Sequence, residues 1–181
     1  DLCEKKLIIE IMGKHSNIIF CDDKDMILDS IKHVSAQMSS VREVLPGRTY
    51  FIPDTMEKSD PLSVDVSSFM EILRLKPVPL GKAIYTSFTG ISPVIAEDIC
   101  FLAGLNSQLP ASELDEDTFL HLFRQFSYYM DDIRCCRFHP CIYYDGTSPK
   151  DFGAVALSHF SNYTKQEFTS ISEVLNTYYA T

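Results

Sequence analysis

The stretch KLIIEIMGKHSNIIF, residues 6–20, decides the fold at the start of the chain. Two short apolar runs, LIIEIM and NIIF, enclose the four residues Gly13, Lys14, His15 and Ser16. Apolar runs of this length around turn residues predict a β-hairpin, with strands at 6–12 and 17–22. The bend needs the glycine, but it does not need a cation, an imidazole and a hydroxyl. With Asn17, these groups form a candidate surface for phosphate and base contacts, against the plainer alternative of a polar surface turn.

The pattern of strands continues to about residue 60. The acidic stretch DDKD (22–25) predicts a turn. The segment MILDSIKHV (26–34) fits either a helix or a third strand, and the tight turn before it favours a strand in a meander. VREVLPGRTYFIP (41–53) places Pro-Gly in a turn, followed by a short strand, TYFI (49–52). Residues 1–60 are therefore expected to be the C-terminal part of a β-rich lobe.

A helical lobe is predicted over residues 61–136. SDPL (59–62) indicates a helix start capped by Asp60, with the helix running over 62–75 and stopping before Pro77. LGKAIYTSF (80–88) predicts a short helix, and a second helix begins at Pro93 and ends near Gly104. Residues 115–133 have apolar side chains at helical spacing and acids at the start, which suit the helix dipole.

The connection TGIS, residues 89–92, resembles a helix-hairpin-helix turn. The residues concerned are Gly90, Ile91 and Ser92. In such a turn the backbone amides and the start of the following helix can accept a phosphate without a basic side chain, which would suit an acidic chain. The alternative is an ordinary connection between two helices.

Strands return after residue 137. CIYYDGT (141–147) contains an Asp-Gly turn, and FGAVALSHF (152–160) alternates enough to pair with it. SISEVLNTYY (170–179) predicts a closing amphipathic helix. Residues 137–181 are thus expected to form a β-hairpin and a last helix. The order β, then α, then β predicts an α+β fold of two lobes.

Composition limits the classes of function. The chain has 181 residues, of which 45% are hydrophobic and 23% charged, as in globular proteins. A net charge of -9 argues against a whole-surface nucleic-acid clamp, so any RNA contact must be local. The acidic stretches 22–25 and 113–117 are interpreted as a solvated turn and a helix start. No apolar stretch is long enough for a membrane span, and no signal peptide is visible.

The cysteine and histidine patterns predict neither a metal site nor an active site. The six cysteines form no CxxC pair, and most lie beside apolar residues, which favours reduced thiols in the cytosol over an extracellular disulfide framework. His15, His33 and His139 lie near polar groups, but no catalytic motif surrounds them. We therefore expect no cofactor and no enzymatic activity.

Three strings occur in the order found in one family. LIIEIMGKHSNIIF (7–20), VREVLPGRTYFIP with SDPL, and TGISPVIAEDICFLAGL (89–105) resemble the NFACT-N domain of bacterial RqcH, also called fibronectin-binding protein A, and of eukaryotic NEMF. DFGAVALSHF and SISEVLNTYY resemble the stretch before that family's coiled coil. The resemblance implies a β-sandwich lobe joined to a helical lobe, similar to the formamidopyrimidine-DNA glycosylase type.

The resemblance also implies a function. Bacterial members bind obstructed 50S subunits that hold peptidyl-tRNA, recruit tRNA and drive alanine tailing of the stalled chain in the cytoplasm. Carried over by motif, residues 14–17 face RNA, and residues 90–92 are a second candidate surface. The family shows Arg where this chain has Lys14, and a lysine lacks the planar fork. The chain is expected to lack the family's upstream Asp-Arg pair and downstream coiled coil, and so not to support tailing alone.

Two alternatives stay open. A cell-surface adhesin that binds fibronectin is suggested by the older family name, although the chain shows no repeat, anchor motif or export signal. A nucleic-acid repair enzyme is suggested by the glycosylase likeness, but no nucleophile or base is identifiable, and a fold does not carry a function with it.

Overall fold

Strands, helices and again strands follow one another along the chain. The computed structural model describes residues 4–11, 13–52 and 58–180. The chain divides into two compact units, Asp1–Met56 and Glu57–Thr181. Within the described residues there are two three-stranded antiparallel sheets and five α-helices. The predicted α+β class is confirmed, while the lobe boundaries at residues 60 and 136 stay predictions.

The first unit is built on a meander. Its strands are β1 (Lys5–Glu10), β2 (Asn17–Asp22) and β3 (Ile27–Ser30), in the order β1-β2-β3. The hairpin expected around the GKHS turn is confirmed, although β1 ends at Glu10 and residue 12 of the predicted strand lies outside the described residues. The strand interpretation of the third segment is confirmed as well. Asp22 forms the second turn, because its carboxylate accepts hydrogen bonds from the N–H groups of Lys24 at 2.9 Å and Met26 at 2.8 Å.

The two faces of this sheet differ in what covers them. On the inner face Ile19, Cys21 and Ile27 are buried against Val44. The same side carries an ion pair between Glu10 and Arg42, with both side chains only 8% exposed. The outer face is apolar and open to solvent: Leu7, Ile9 and Phe20 are exposed by 67%, 63% and 39%.

The strand predicted for TYFI is not formed. Thr49 makes only an isolated bridge to Met26, and residues 50–52 have no strand structure. The carbonyl of Asp25 accepts a hydrogen bond from the N–H of Tyr50 at 2.7 Å, but Asp25 has a left-handed φ of 61°. Because its backbone is not extended, the pairing with the TYFI segment stops there. Residue 53 of the predicted segment lies outside the described residues.

Four helices form the core of the second unit. They are α1 (Val66–Arg74), α2 (Leu80–Ser87), α3 (Pro93–Leu102) and α4 (Glu116–Arg134). Phe69, Phe88 and Phe126 lie at their centre with ring centroids 4.8 to 5.4 Å apart. The acidic stretch 113–117 contains the start of α4, as predicted, because Asp115 accepts a hydrogen bond from the N–H of Thr118 at 2.8 Å.

The prediction that SDPL starts a helix is wrong. Ser59 is held extended beside Phe88 by two backbone hydrogen bonds, at 2.7 and 3.0 Å, to the residues on either side of that phenylalanine. The Asp60 carboxylate instead closes a tight turn onto the N–H of Leu62 at 2.9 Å. The helix begins later, where Asp65 accepts a hydrogen bond from Ser68 at 2.8 Å.

The second sheet has the order β5-β4-β6. Its strands are β4 (Cys141–Asp145), β5 (Ser148–Gly153) and β6 (Thr164–Glu167), and α5 (Ile171–Tyr179) follows, capped by Ser170 as expected. The predicted pairing of 152–160 is only partly correct. Pairing with β4 begins directly after the turn at Gly146, with Asp145 opposite Ser148, and it ends at Gly153. The chain then leaves the sheet, and Leu157 packs in a buried cluster with Tyr143.

A buried carboxylate connects α3 and α4 to the segment after β5. Asp98 is completely buried and accepts hydrogen bonds from the backbone N–H and the ring Nδ1 of His159, both at 2.7 Å. Its other oxygen accepts a hydrogen bond from the hydroxyl of Tyr129 at 2.6 Å. Burial, reinforced by the hydrogen bond to Asp98, raises the pKa of Tyr129, so the phenol stays a donor.

None of the helices in the described part of the chain is both long enough and apolar enough to cross a membrane.

Candidate nucleic-acid interface

The hairpin turn presents its polar side chains to solvent. Gly13 to His15 form a single 3-10 turn, closed by the N–H of Ser16 donating to the carbonyl of Gly13 at 3.0 Å. Gly13 has φ +54°, a conformation that glycine adopts without strain. Lys14 and His15 are both exposed. A short, hydrogen-bonded turn therefore holds a cation and an imidazole at the end of a stiff ribbon.

Asn17 occupies a different position from its neighbours. It is only 6% exposed, and its amide is used within the unit. Nδ2 donates to the carbonyl of Lys32 at 2.9 Å, while Oδ1 accepts from the N–H of Lys32 at 2.9 Å and of Ile18 at 3.0 Å. This geometry fixes the chain after β3 to the start of β2. The predicted contact between Asn17 and RNA stays a prediction, but the hydrogen bonds give the side chain a positioning role.

The hydrogen bonds of Asn17 hold a second lysine, Lys32, beside Lys14. The Nζ of Lys32 donates to the carbonyl of Lys14 at 3.3 Å, which brings the two residues together at one end of the sheet. His33 follows, and its Nε2 lies 2.9 Å from the carboxylate of Asp29, which lowers the pKa of Asp29. We call the exposed residues Lys14, His15 and Lys32 the hairpin end.

Sequence reasoning did not select Lys32, although a signal was present. In a meander the third strand returns antiparallel to the second, so its last residues must lie beside the first turn. The observed register, with Ile19 opposite Ser30, places Lys32 opposite Asn17. The hairpin end carries positive charge in a chain whose net charge is -9, and most of the acidic excess lies in residues 57–181.

The second candidate surface is the turn between α2 and α3. Gly90 has φ +76° and is exposed, whereas Ile91 is 7% exposed and belongs to the helical core. Ser92 caps α3, with its hydroxyl accepting a hydrogen bond from the N–H of Ile95 at 3.3 Å. None of the described residues accepts a hydrogen bond from the N–H of Gly90 or Ile91. The turn thus joins two helices through a left-handed glycine, a buried isoleucine and a capping serine, and its likeness to a helix-hairpin-helix stays a prediction.

The described residues contain no group of three or more His, Cys, Asp or Glu side chains that could hold a metal ion. Of the five cysteines that the structure describes, Cys21, Cys100 and Cys141 are buried, whereas Cys135 and Cys136 are exposed. Burial raises the pKa of the Cys100 thiol to about 12, so this group is not a thiolate near neutral pH.

Comparison with known proteins identifies the family. The family model of the NFACT N-terminal and middle domains matches residues 1–181. The chain belongs to the NFACT family. It is 33% identical over 177 residues to the Rqc2 homolog RqcH of Bacillus subtilis, which covers 97% of this chain and 29% of that protein. It is 31% identical over 180 residues to the Rqc2 homolog RqcH of Streptococcus pneumoniae, covering 99% of this chain and 28% of that protein.

The NFACT chain therefore spans less than a third of the length of these relatives. The resemblance noted in the sequence is confirmed, and the relatives' names place the family in ribosome quality control. The activities of the whole relatives belong to longer proteins, so for this chain they are proposals.

Solved structures of similar fold carry a different kind of name. The fibrinogen-binding protein from Staphylococcus aureus superposes with a TM-score of 0.76 at 24% identity, covering 98% of this chain and 60% of that one, and it shows the fold alone. The N-terminal part of the fibronectin/fibrinogen-binding protein from Streptococcus suis superposes with a TM-score of 0.66 at 28% identity, covering 98% of this chain and 57% of that one.

Proposed function

We propose that this chain is the RNA-contacting part of a cytoplasmic ribosome quality-control factor. In the full-length protein it binds tRNA and obstructed 50S subunits that hold peptidyl-tRNA, and it supports C-terminal alanine tailing of the stalled chain. It acts by binding and not by catalysis. Family membership and the names of the RqcH relatives support the class of function.

The hairpin end is the observation that carries the proposal. It places Lys14 and His15 on a stiff turn with Lys32 beside them, in a chain whose net charge is -9. Lysines and imidazoles contact phosphate oxygens, and an imidazole ring can also stack on an unpaired base. Ser16 completes the set of hydrogen-bonding groups at the turn, and Asn17 holds Lys32 in place through both of its backbone groups.

The turn at Gly90 and Ser92 is the second RNA surface. Backbone N–H groups at the start of α3 give it affinity for an anion even though acids prevail in residues 57–181. Ile91, only 7% exposed, anchors the turn in the helical core, and its backbone N–H is the group that we propose contacts RNA. We further propose that the chain forms part of a fold of the formamidopyrimidine-DNA glycosylase type, with the first sheet in a sandwich-like lobe.

A salt titration of tRNA binding by the full-length protein tests this function. The variant Lys14→Ala/Lys32→Ala should bind more weakly, and the slope of log K against log salt should fall by about 0.7 for each lost contact to single-stranded RNA. Lys24→Ala is the matched control, because Lys24 is an exposed lysine in the turn at the opposite end of the same sheet. Wild-type affinity and slope in the double variant, with unchanged thermal unfolding, would refute the hairpin end as an RNA contact.

Fibronectin is the second candidate partner. The solved relative from Streptococcus suis bears a fibronectin-binding name, and β1 is the edge strand of the described sheet, a feature to which an extended peptide can add. Immobilised fibronectin in the same titration decides between the partners. If the protein binds fibronectin equally well with and without Lys14→Ala/Lys32→Ala, and does not bind tRNA, the adhesin is favoured.

A further inference from the structure

A cavity lies next to the Gly90 turn, and none of the contacts described so far uses it. Its volume is about 460 Å³, within the range of roughly 300 to 1,000 Å³ typical of small-molecule sites. The apolar part of its wall is formed by Pro61, Leu62, Ile91, Met130 and Ile133. Lys58 and Asp60 supply charged groups to the same wall. The cavity therefore combines an apolar interior with groups of both charges.

Hydrogen bonds hold the two sides of the cavity in place. The backbone of Ser59 is bonded to residues 87 and 89, which fixes the segment containing Lys58 and Asp60 against the end of α2. Arg134 on α4 donates to the carbonyl of Leu62. The cavity is thus formed by backbone that is already ordered, so an incoming ligand need not order it.

The charged groups still have hydrogen-bonding capacity. Asp60 uses Oδ1 for the N–H of Leu62, and Oδ2 has no partner among the described residues. Lys58 donates to the carbonyl of Tyr85 at 2.9 Å, which occupies one of its three N–H groups. With the N–H groups of Gly90 and Ile91, the site offers an acceptor for an amino group and donors for an anion.

We propose that this cavity receives one unstacked nucleobase of single-stranded RNA. The base lies between Leu62 and Ile133 of α4, with the buried side chain of Met130 beneath it. Its exocyclic amino group donates to Asp60, and its phosphate is bound by Lys58 and the N–H groups of the Gly90 turn. Bases taken out of a stack are held in this way, by apolar side chains on their faces and by hydrogen bonds on their edge. A lipid chain would leave Asp60 unused. The inference rests on the proposed function and names what the second RNA surface recognises.

The test fills the cavity without touching the hairpin end. Leu62→Trp in the full-length protein enlarges a lining side chain that is 40% exposed, and Leu75→Trp is its matched control at a side chain that is 74% exposed and outside the cavity. The probe is a fluorescein-labelled twelve-nucleotide RNA of mixed sequence, read by anisotropy beside the same backbone with abasic sites throughout. Leu62→Trp should weaken binding of the RNA about tenfold and leave binding of the abasic strand unchanged. Lys58→Ala should weaken both strands.

The outcomes separate the inference from the function on which it rests. If the wild type binds RNA and Leu62→Trp matches Leu75→Trp, the inference fails and the proposed function stands. Equal weakening of the RNA and the abasic strand by Leu62→Trp would also overturn it, because the base would then not be what the cavity recognises. No RNA binding by the wild type would overturn both. If Lys58→Ala unfolds like the wild type and binds both strands with wild-type affinity, Lys58 does not contact the phosphate and that part of the inference fails.

Discussion

Replacing Asp98 by alanine should destabilise the second unit more than any surface change. The carboxylate is fully buried and accepts three hydrogen bonds, two from His159 and one from Tyr129. A hydrogen bond to a charged group contributes about 1.5 to 3 kcal/mol, but the three losses do not simply add. The Tyr129 hydroxyl retains the carbonyl of Ala156 at 3.0 Å, and the His159 ring, 18% exposed, reaches water.

The backbone N–H of His159 has no such replacement, and a small cavity remains. The unpaired N–H costs about 1 to 3 kcal/mol and a hydrogen bond lost at the carboxylate adds about 1.5 to 3 kcal/mol, so we expect Asp98→Ala to lower the free energy of unfolding by roughly 3 to 5 kcal/mol. That is a large part of the roughly 5 to 15 kcal/mol of a typical domain. Tyr129→Phe, which removes one donor, should cost less, about 1 to 3 kcal/mol.

Urea unfolding followed by circular dichroism measures these differences. Glu97→Ala is the matched control, because Glu97 is the exposed neighbour of Asp98 on α3 and alanine favours the helix. The control should stay within about 0.5 kcal/mol of the wild type. If Asp98→Ala also stays within that margin, the buried carboxylate does not hold α3 and α4 to the segment after β5, and the reasoning is refuted.

Three further expectations follow from individual side chains. Asn17→Ala should cost about 2 kcal/mol and increase amide exchange at Lys32, since the Lys32 N–H loses its partner and the Lys32 carbonyl keeps only the Ser30 hydroxyl; unchanged exchange would contradict the positioning role. The hydrogen bonds from Thr118 lower the pKa of Asp115 below 3.8, so its stabilisation is present above that pH and lost as pH falls through the folded pKa; Asp115→Asn should flatten the drop in Tm between about pH 4 and 2. Iodoacetamide at pH 8 should leave Cys100 unlabelled in the native protein and label it after unfolding, as read by peptide mass.

Local patterns predicted the elements that local residues determine. The hairpin follows from two apolar runs around Gly13, and α3 follows from Ser92 and Pro93 at its start. The strand β6 escaped prediction because TKQE has no apolar alternation: all four side chains are exposed, and only pairing with β4 makes it a strand. The helix start was misplaced because the extended backbone at Ser59 depends on a partner almost thirty residues away.

The same distinction applies to the candidate site. Lys14, His15 and Ser16 adjoin one another in the sequence, so a reading of motifs finds them together. Lys32 joins them only through the return of β3, and the connection between Asp98 and His159 joins residues 61 apart. Hydrogen bonds between distant parts of the chain have no period or spacing, and so no pattern in the sequence announces them.

The open apolar face of the first sheet has a practical consequence for binding experiments. When this chain is studied by itself, a surface that shows Leu7, Ile9 and Phe20 to solvent will adsorb to plastic, to denatured protein and to other copies of the chain. Adsorption of this kind persists or strengthens as sulfate is added, whereas contacts to phosphate weaken with salt. A coated-plate signal with fibronectin or RNA that survives high salt therefore indicates non-specific hydrophobic adsorption. Leu7→Lys on this face should abolish that signal without altering the hairpin end.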